Sequence, residues 1–179
     1  MKTSVKIMFC FQIILALIFI FIIKTAYASE RDCLVEAIYF EARGESFIGQ
    51  LAVANVILER VRHPKFPNTI CKVVHSGRYY KGAPVKHKCA FSYWCDGKPE
   101  RMRDKSAMKD AISVAKLALD GVLVEEVLGA TYYHATYTHP KWAYEFQMIA
   151  RIGKHLFYDD LNYSQFIHIG DDDAKLHLD

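Results

Sequence analysis

The sequence predicts an α+β domain, mainly helical, with a small β-hairpin near its C-terminal end. Three observations carry this. Apolar residues recur at helical spacing from Leu34 to Val61, interrupted at Gly44. Ala107, Ala111, Ala115 and Ala118 form a small-residue side suited to close helix packing. The stretch "FQMIARIGKHLFYD" alternates Met148, Ala150 and Ile152, turns at Gly153-Lys154, and resumes with Leu156 and Tyr158. Helices come first and the hairpin last, which is an α+β order and not an alternating one.

Residues 1–28 read as a targeting segment and stand outside that fold. Lys2 and Lys6 form a basic start, and "IMFCFQIILALIFIFII", Ile7 to Ile23, is an apolar run of 17 residues. Ala26-Tyr27-Ala28 then supplies the small-x-small pattern of a cleaved signal peptide. The run also reaches the short limit of a membrane span, so an uncleaved anchor over residues 7–23 is the alternative. On either reading the rest of the chain is exported, to a periplasmic or extracellular site, and meets a membrane only through this segment. The formal net charge of +3 is accounted for by Lys2, Lys6 and Lys24. The chain from Ser29 to Asp179 is neutral, with no basic stripe and no nucleic-acid motif, which excludes nucleic acid as a partner. What remains is the length of one domain, residues 29–158, expected to be a monomer, followed by an acidic C-terminal tail over 159–179.

Ser29 and Asp32 start the first helix, whose Leu34, Ala37, Ile38 and Glu41 share one face and which Gly44 ends. Ser46 opens a second helix, "FIGQLAVANVILERVRH", apolar on nearly every side and therefore central. His63-Pro64 and Phe66-Pro67 break it, and Thr69 to Ser76 form a short helix beyond the break. Glycines, prolines, cysteines and aromatics crowd Gly77 to Pro99, a long stapled loop with room for short strands. Asp104 caps a third long helix that runs to about Asp120, and Gly121 stops it.

Cys10 lies in the targeting segment, which leaves Cys33, Cys71, Cys89 and Cys95. An even number in an exported chain favours two disulfides. Three pairings exist. Cys89 with Cys95 is the natural local closure, and Cys33 with Cys71 would then tie the first helix to the short one. A zinc site of His75, His87, Cys89 and Cys95 is the rival, but it lacks CxxC or HxxxH ligand pairs, so no metal and no cofactor is expected.

The stretch "EAIYFEARGESFIGQ" places three carboxylates within ten residues. Glu36 falls off the apolar stripe and is read as facing solvent or pairing with Arg43. Glu45, just past the helix stop, is an ordinary solvated carboxylate; it and Arg43 are at most supporting residues. Glu41 continues the apolar stripe. Desolvation should raise its pKa, with Glu45 adding to the rise and Arg43 opposing it. A carboxyl kept protonated near neutral pH suits general-acid cleavage of a glycosidic bond. The competing reading is a buried structural glutamate bonded to a backbone group or an arginine.

At "EAIYFEARGESFIGQLAVANVILERV", continued in "AFSYWCDG" and "GATYYHA", the chain resembles the SleB/CwlJ-type cell wall hydrolases. The likeness runs from Cys33 to Tyr158. It implies a lysozyme-like or lytic-transglycosylase-like fold, peptidoglycan glycan strands as substrate, and a catalytic glutamate in the "EARGE" block, carried onto Glu41. It also implies cleavage between N-acetylmuramic acid and N-acetylglucosamine, one glutamate serving as acid and then as base. Further, it places Phe91, Ser92, Trp94, Tyr133 and His134 along a glycan groove, the aromatics with core packing as their alternative. Gln50 would orient the acid or cap the second helix. Two departures stand out: Leu58-Glu59-Arg60 replaces a common "LNR", and Ala90 replaces a common glutamine. Two other functions compete, an amidase cutting between muramic acid and the peptide stem, and a non-catalytic glycan-binding module.

Overall fold

The computed structural model describes residues 30–160 and, ahead of them, Gln12 alone. The expected signal or anchor over residues 1–28 and the tail beyond Asp160 lie outside the described residues. Among the described residues no helix is long and apolar enough to cross a membrane.

Helix α1 covers residues 30–42. Leu34, Ala37 and Ile38 are buried on the face that the spacing marks. Helix α2, Phe47–Arg62, starts where Ser46 Oγ accepts from Gly49 N at 3.2 Å and ends at His63, ahead of Pro64. Its residues from Gly49 to Ile57 are all buried, so it is the central helix the composition implies. Asn55 holds the Val122–Val124 loop onto it, donating to Val122 O at 3.1 Å and accepting from Val124 N at 2.8 Å. Helix α3, Ile70–Val74, is shorter than the sequence suggests and is capped by Thr69.

Helix α4, Lys105–Leu119, is capped by Asp104, whose Oδ1 accepts from Ser106 N and Ala107 N. Ala111, Val114, Ala115 and Ala118 are buried, and the small side chains let α4 lie against α2. The stapled loop contains a two-stranded hairpin, β1 (Gly77–Tyr80) with β2 (Ala83–Cys89). Both predicted disulfide pairings are present, Cys33–Cys71 and Cys89–Cys95, which removes the thiolates that the zinc alternative needs.

A three-stranded antiparallel sheet closes the domain in the order β3-β5-β4, with β3 Ala130–Ala135, β4 Gln147–Ile152 and β5 His155–Asp159. The β4–β5 hairpin turns at Gly153-Lys154, as the alternation predicts. Its register shifts between Met148 and Ala150, so Met148 is 54% exposed and does not share the inward stripe. Strand β3 was not anticipated. "ATYYHA" reads as a binding block, and a strand paired along its length with β5 gives no simple alternation in burial. Asp159 and Asp160, assigned to the tail by composition, are buried, and Asp160 pairs with Lys65 at 2.6 Å.

Candidate active site

The C-terminal end of α1 faces the sheet across a cleft of about 490 Å³, whose walls include Phe40, Glu41, Arg60, Ser92, Tyr133, His134 and Trp142. A second lobe of about 300 Å³ opens on the other side of Glu41, lined by Arg43, Gly44, Glu45, Lys154 and His155. Phe40, Glu41, Ala135, Tyr137 and His155 line both lobes. Glu41 therefore stands where the two meet.

The last turn of α1 sets that position. Ala42 closes the helix, and Glu45 N returns to Ala42 O at 2.9 Å, folding the chain back before α2. From β3, Tyr133 donates its hydroxyl to Glu41 Oε2 at 3.3 Å. Arg60 reaches the same region from α2. It is 8% exposed, donates Nε to Thr131 O at 2.6 Å, and has its guanidinium 5.3–5.7 Å from the ring centres of Phe66, Phe91 and Tyr132. Burial raises the Glu41 pKa above the ordinary carboxyl range, and the Tyr133 hydrogen bond and Arg60 charge oppose the rise. The direction is the one expected from sequence. The opposing groups are not, because Arg43 instead lies over the Tyr39 ring at 5.0 Å.

His134 is held in one orientation. Its Nδ1 lies 2.9 Å from Ala135 O, a carbonyl that can only accept, so Nδ1 carries a proton, and Nε2 shares a hydrogen bond with Tyr158 Oη at 2.9 Å. Trp142 meets His134 edge to face at 5.5 Å and lines the cleft with it. His155 on β5 is buried, and desolvation lowers its pKa.

Of the residues proposed from sequence, Glu41, Ser92, Tyr133 and His134 line the main cleft, and Arg43 and Glu45 line the second lobe. Three do not line either lobe. Phe91 is 1% exposed and packs in the core beneath Arg60. Trp94 stacks on His75 at 3.6 Å and donates to Tyr79 Oη at 3.0 Å, away from Glu41. Gln50 is 6% exposed and donates Nε2 to Glu45 O at 3.2 Å, which fixes the loop. Local density of aromatics identified the block correctly but not which members turn inward. Arg60, Tyr137, Trp142 and His155 were missed; only Trp142, in the proline-broken "THPKW", carries a visible sequence signal.

The other two carboxylates also resolve. Glu59 pairs with Arg62 at 2.7 Å and stays out of the cleft. Glu36 does not face solvent and does not pair with Arg43. It is half-buried, Oε1 has no hydrogen-bond partner, and burial followed by the Glu100 charge raises its pKa, with the nearby Tyr93 hydroxyl opposing. Ala90 lines the cleft.

Residues 44–158 match the Cell Wall Hydrolase family. The chain belongs to that family. The match starts three residues beyond Glu41, so the family assignment and the identity of the acid rest on separate observations. Among curated relatives, the spore cortex-lytic enzyme of Halalkalibacterium halodurans is 35% identical over 125 residues, covering 69% of this chain and 33% of that protein. The Bacillus subtilis spore cortex-lytic enzyme is 35% identical over 126 residues, covering 69% and 35%. This cell wall hydrolase thus spans about a third of the length of those relatives. Among solved structures, the catalytic domain of the Bacillus cereus SleB protein matches with a TM-score of 0.54 and 31% identity, over 73% of this chain and 89% of that one. The catalytic domain of the germination-specific lytic transglycosylase SleB from Bacillus anthracis matches with a TM-score of 0.55 and 30% identity, over 73% and 93%. The fold is the lysozyme-like α+β type that the resemblance implies.

Proposed function

We propose that this cell wall hydrolase cleaves the glycan strand of peptidoglycan as a lytic transglycosylase, with Glu41 as its single acid and base. One observation carries the reading. Glu41 is a half-buried carboxyl, its pKa raised by desolvation, at the junction of two cleft lobes, and among the described residues the only other carboxylate lining them, Glu45, is tied by Oε2 to Lys154 N at 3.0 Å. Ordinary glycosidases need two carboxylates flanking the bond, one of them free to act as nucleophile or to activate water. A transglycosylase needs one. Glu41 gives its proton to the bridging oxygen as the bond to the N-acetylmuramic anomeric carbon breaks. The resulting carboxylate then takes the proton of the muramic C6 hydroxyl as that oxygen attacks the same carbon, leaving a 1,6-anhydro end and the acid restored.

The surrounding residues fit these steps. Tyr133 anchors the carboxyl and stabilises it once charged, and Arg60 does so at longer range. Trp142 offers a face for a sugar ring; Ser92, His134 and Thr138 offer polar groups for hydroxyl and N-acetyl groups. The two disulfides suit an oxidising compartment, where an exported enzyme meets its substrate. The test is digestion of purified sacculi with mass spectrometry of the soluble products. Muropeptides ending in 1,6-anhydromuramic acid support the proposal. Reducing muramic ends would indicate hydrolysis, and free stem peptides would indicate an amidase; either overturns it.

A further inference from the structure

We propose that the second lobe, beside Glu41, is an anion subsite in which Arg43 and Lys154 bind a carboxylate carried on the muramic acid side arm of the substrate. This inference rests on the glycan-cleaving reading and adds a specificity to it. The two lobes differ in chemistry. The main cleft contributes aromatic and neutral polar groups, suited to sugar rings, with Arg60 already committed to Thr131 O. The second lobe contributes two cationic side chains within about 300 Å³. Both are exposed, and neither has an ion-pair partner among the described residues.

The charges nearby leave that pair available. Glu45 is the lobe's own carboxylate, and its Oε2 accepts from the backbone N of Lys154, so it faces the hairpin turn. The turn is shaped around it: Gly153 has φ +57°, and a Cβ there would collide with Glu45 Oε2. This contact brings the turn that bears Lys154 up to the loop that bears Arg43. Burial disfavours the charged form of both His155 and Glu41, lowering the pKa of the first and raising that of the second. Beyond Phe40, Arg43 also borders a small pocket with Lys98, Asp96 and Glu100, where Lys98 already faces Asp96 at 3.6 Å.

A glycan strand lying across Glu41 places a muramic acid next to the bond that breaks. That sugar alone among the two carries a side arm, and its carboxylates come from either of two sources: the peptide stem, or the lactyl group once the stem is removed. An exposed guanidinium and an ammonium are the groups that recognise a carboxylate.

The experiment measures binding to the Glu41→Gln protein, so that ligands stay whole, by fluorescence anisotropy with end-labelled oligosaccharides of matched length. The three ligands are stem-bearing glycan, glycan stripped of stems by an amidase, and an uncharged N-acetylglucosamine oligomer. The expected result is tighter binding of stem-bearing glycan than of the uncharged oligomer by at least about tenfold, with a preference that weakens as salt rises. In the Arg43→Gln, Lys154→Gln variant, both exposed positions, that ratio collapses toward one. Stripped glycan that binds like the stem-bearing ligand assigns the lactyl carboxylate; stripped glycan that binds like the uncharged oligomer assigns the stem. Equal binding of charged and uncharged ligands, or a ratio that survives both substitutions, overturns the inference. Charge-dependent binding without any shortening of glycan by the unsubstituted protein would retain the subsite and sink the cleavage reading; cleavage without charge dependence would do the reverse.

Discussion

Replacing Gly153 by Ala should destabilise the domain, and the cause can be separated into two parts. The φ of +57° puts residue 153 in the left-handed region, where an L residue costs about 1–2 kcal/mol. The added Cβ would also displace the Glu45 carboxylate and break its hydrogen bond from Lys154 N. That bond is exposed, so water replaces part of it, and its loss costs about 0.5–1 kcal/mol. The total is about 1.5–3 kcal/mol, a fall in Tm of roughly 5–10 °C for a domain of this size. The assay is urea unfolding of four proteins: unsubstituted, Gly153→Ala, Glu45→Ala, and the pair. Glu45→Ala removes the bond and the obstacle together, so the pair should cost less than the sum of the single variants by about 0.5–1 kcal/mol. A neutral Gly153→Ala, or strict additivity, would refute the argument that Glu45 and the turn are fitted to each other.

Three further outcomes are expected. Tyr133→Phe removes a hydrogen bond that favours charged Glu41, so the Glu41 pKa rises further, the alkaline limb of the pH–rate profile moves to higher pH, and kcat falls as the carboxyl loses its anchor; a limb that moves down would contradict this. Opening the Cys33–Cys71 bridge by the double serine substitution frees a separation of 38 residues and should cost about 4 kcal/mol of stability in denaturant titrations. Glu36→Gln tests the other half-buried acid whose pKa desolvation raises. Because the folded state holds the Glu36 proton more tightly than the unfolded chain, its stabilising contribution is fully present below the ordinary glutamate pKa. That contribution is lost as pH rises through the raised value. Unfolding midpoints between about pH 4 and pH 8 should therefore decline more for the unsubstituted protein than for Glu36→Gln, and parallel curves would exclude the effect.

Local signals in the sequence reached some elements and not others. Ser46 and Asp104 are side-chain caps, and His63-Pro64 is a chain break, so the helix bounds followed from short-range chemistry. The Gly153-Lys154 turn did too. Strand β3 did not, because its pairing with β5 is a tertiary fact and its outward residues face a cleft and not water. The same limit applies to the site. Glu41 was legible because it continues an apolar helical stripe. Glu36 was misread because the groups that act on it, among them the Tyr93 hydroxyl and the Glu100 charge, come from distant parts of the chain. Phe91 and Trp94 were placed in the groove by aromatic density, yet one fills the core under Arg60 and the other covers His75. Arg60, which faces Glu41 from α2, sits in a helix whose burial on all sides hides which turn reaches the cleft.

The most direct measurement is the rate of release of 1,6-anhydromuramic ends from sacculi by the oxidised domain, compared with Glu41→Gln and Glu45→Gln. The account predicts that Glu41→Gln loses about 10²–10⁴-fold in rate, the contribution of a general acid, while Glu45→Gln retains most of it. Anhydro ends released at equal rates by the unsubstituted protein and Glu41→Gln would contradict the central claim and move the acid elsewhere.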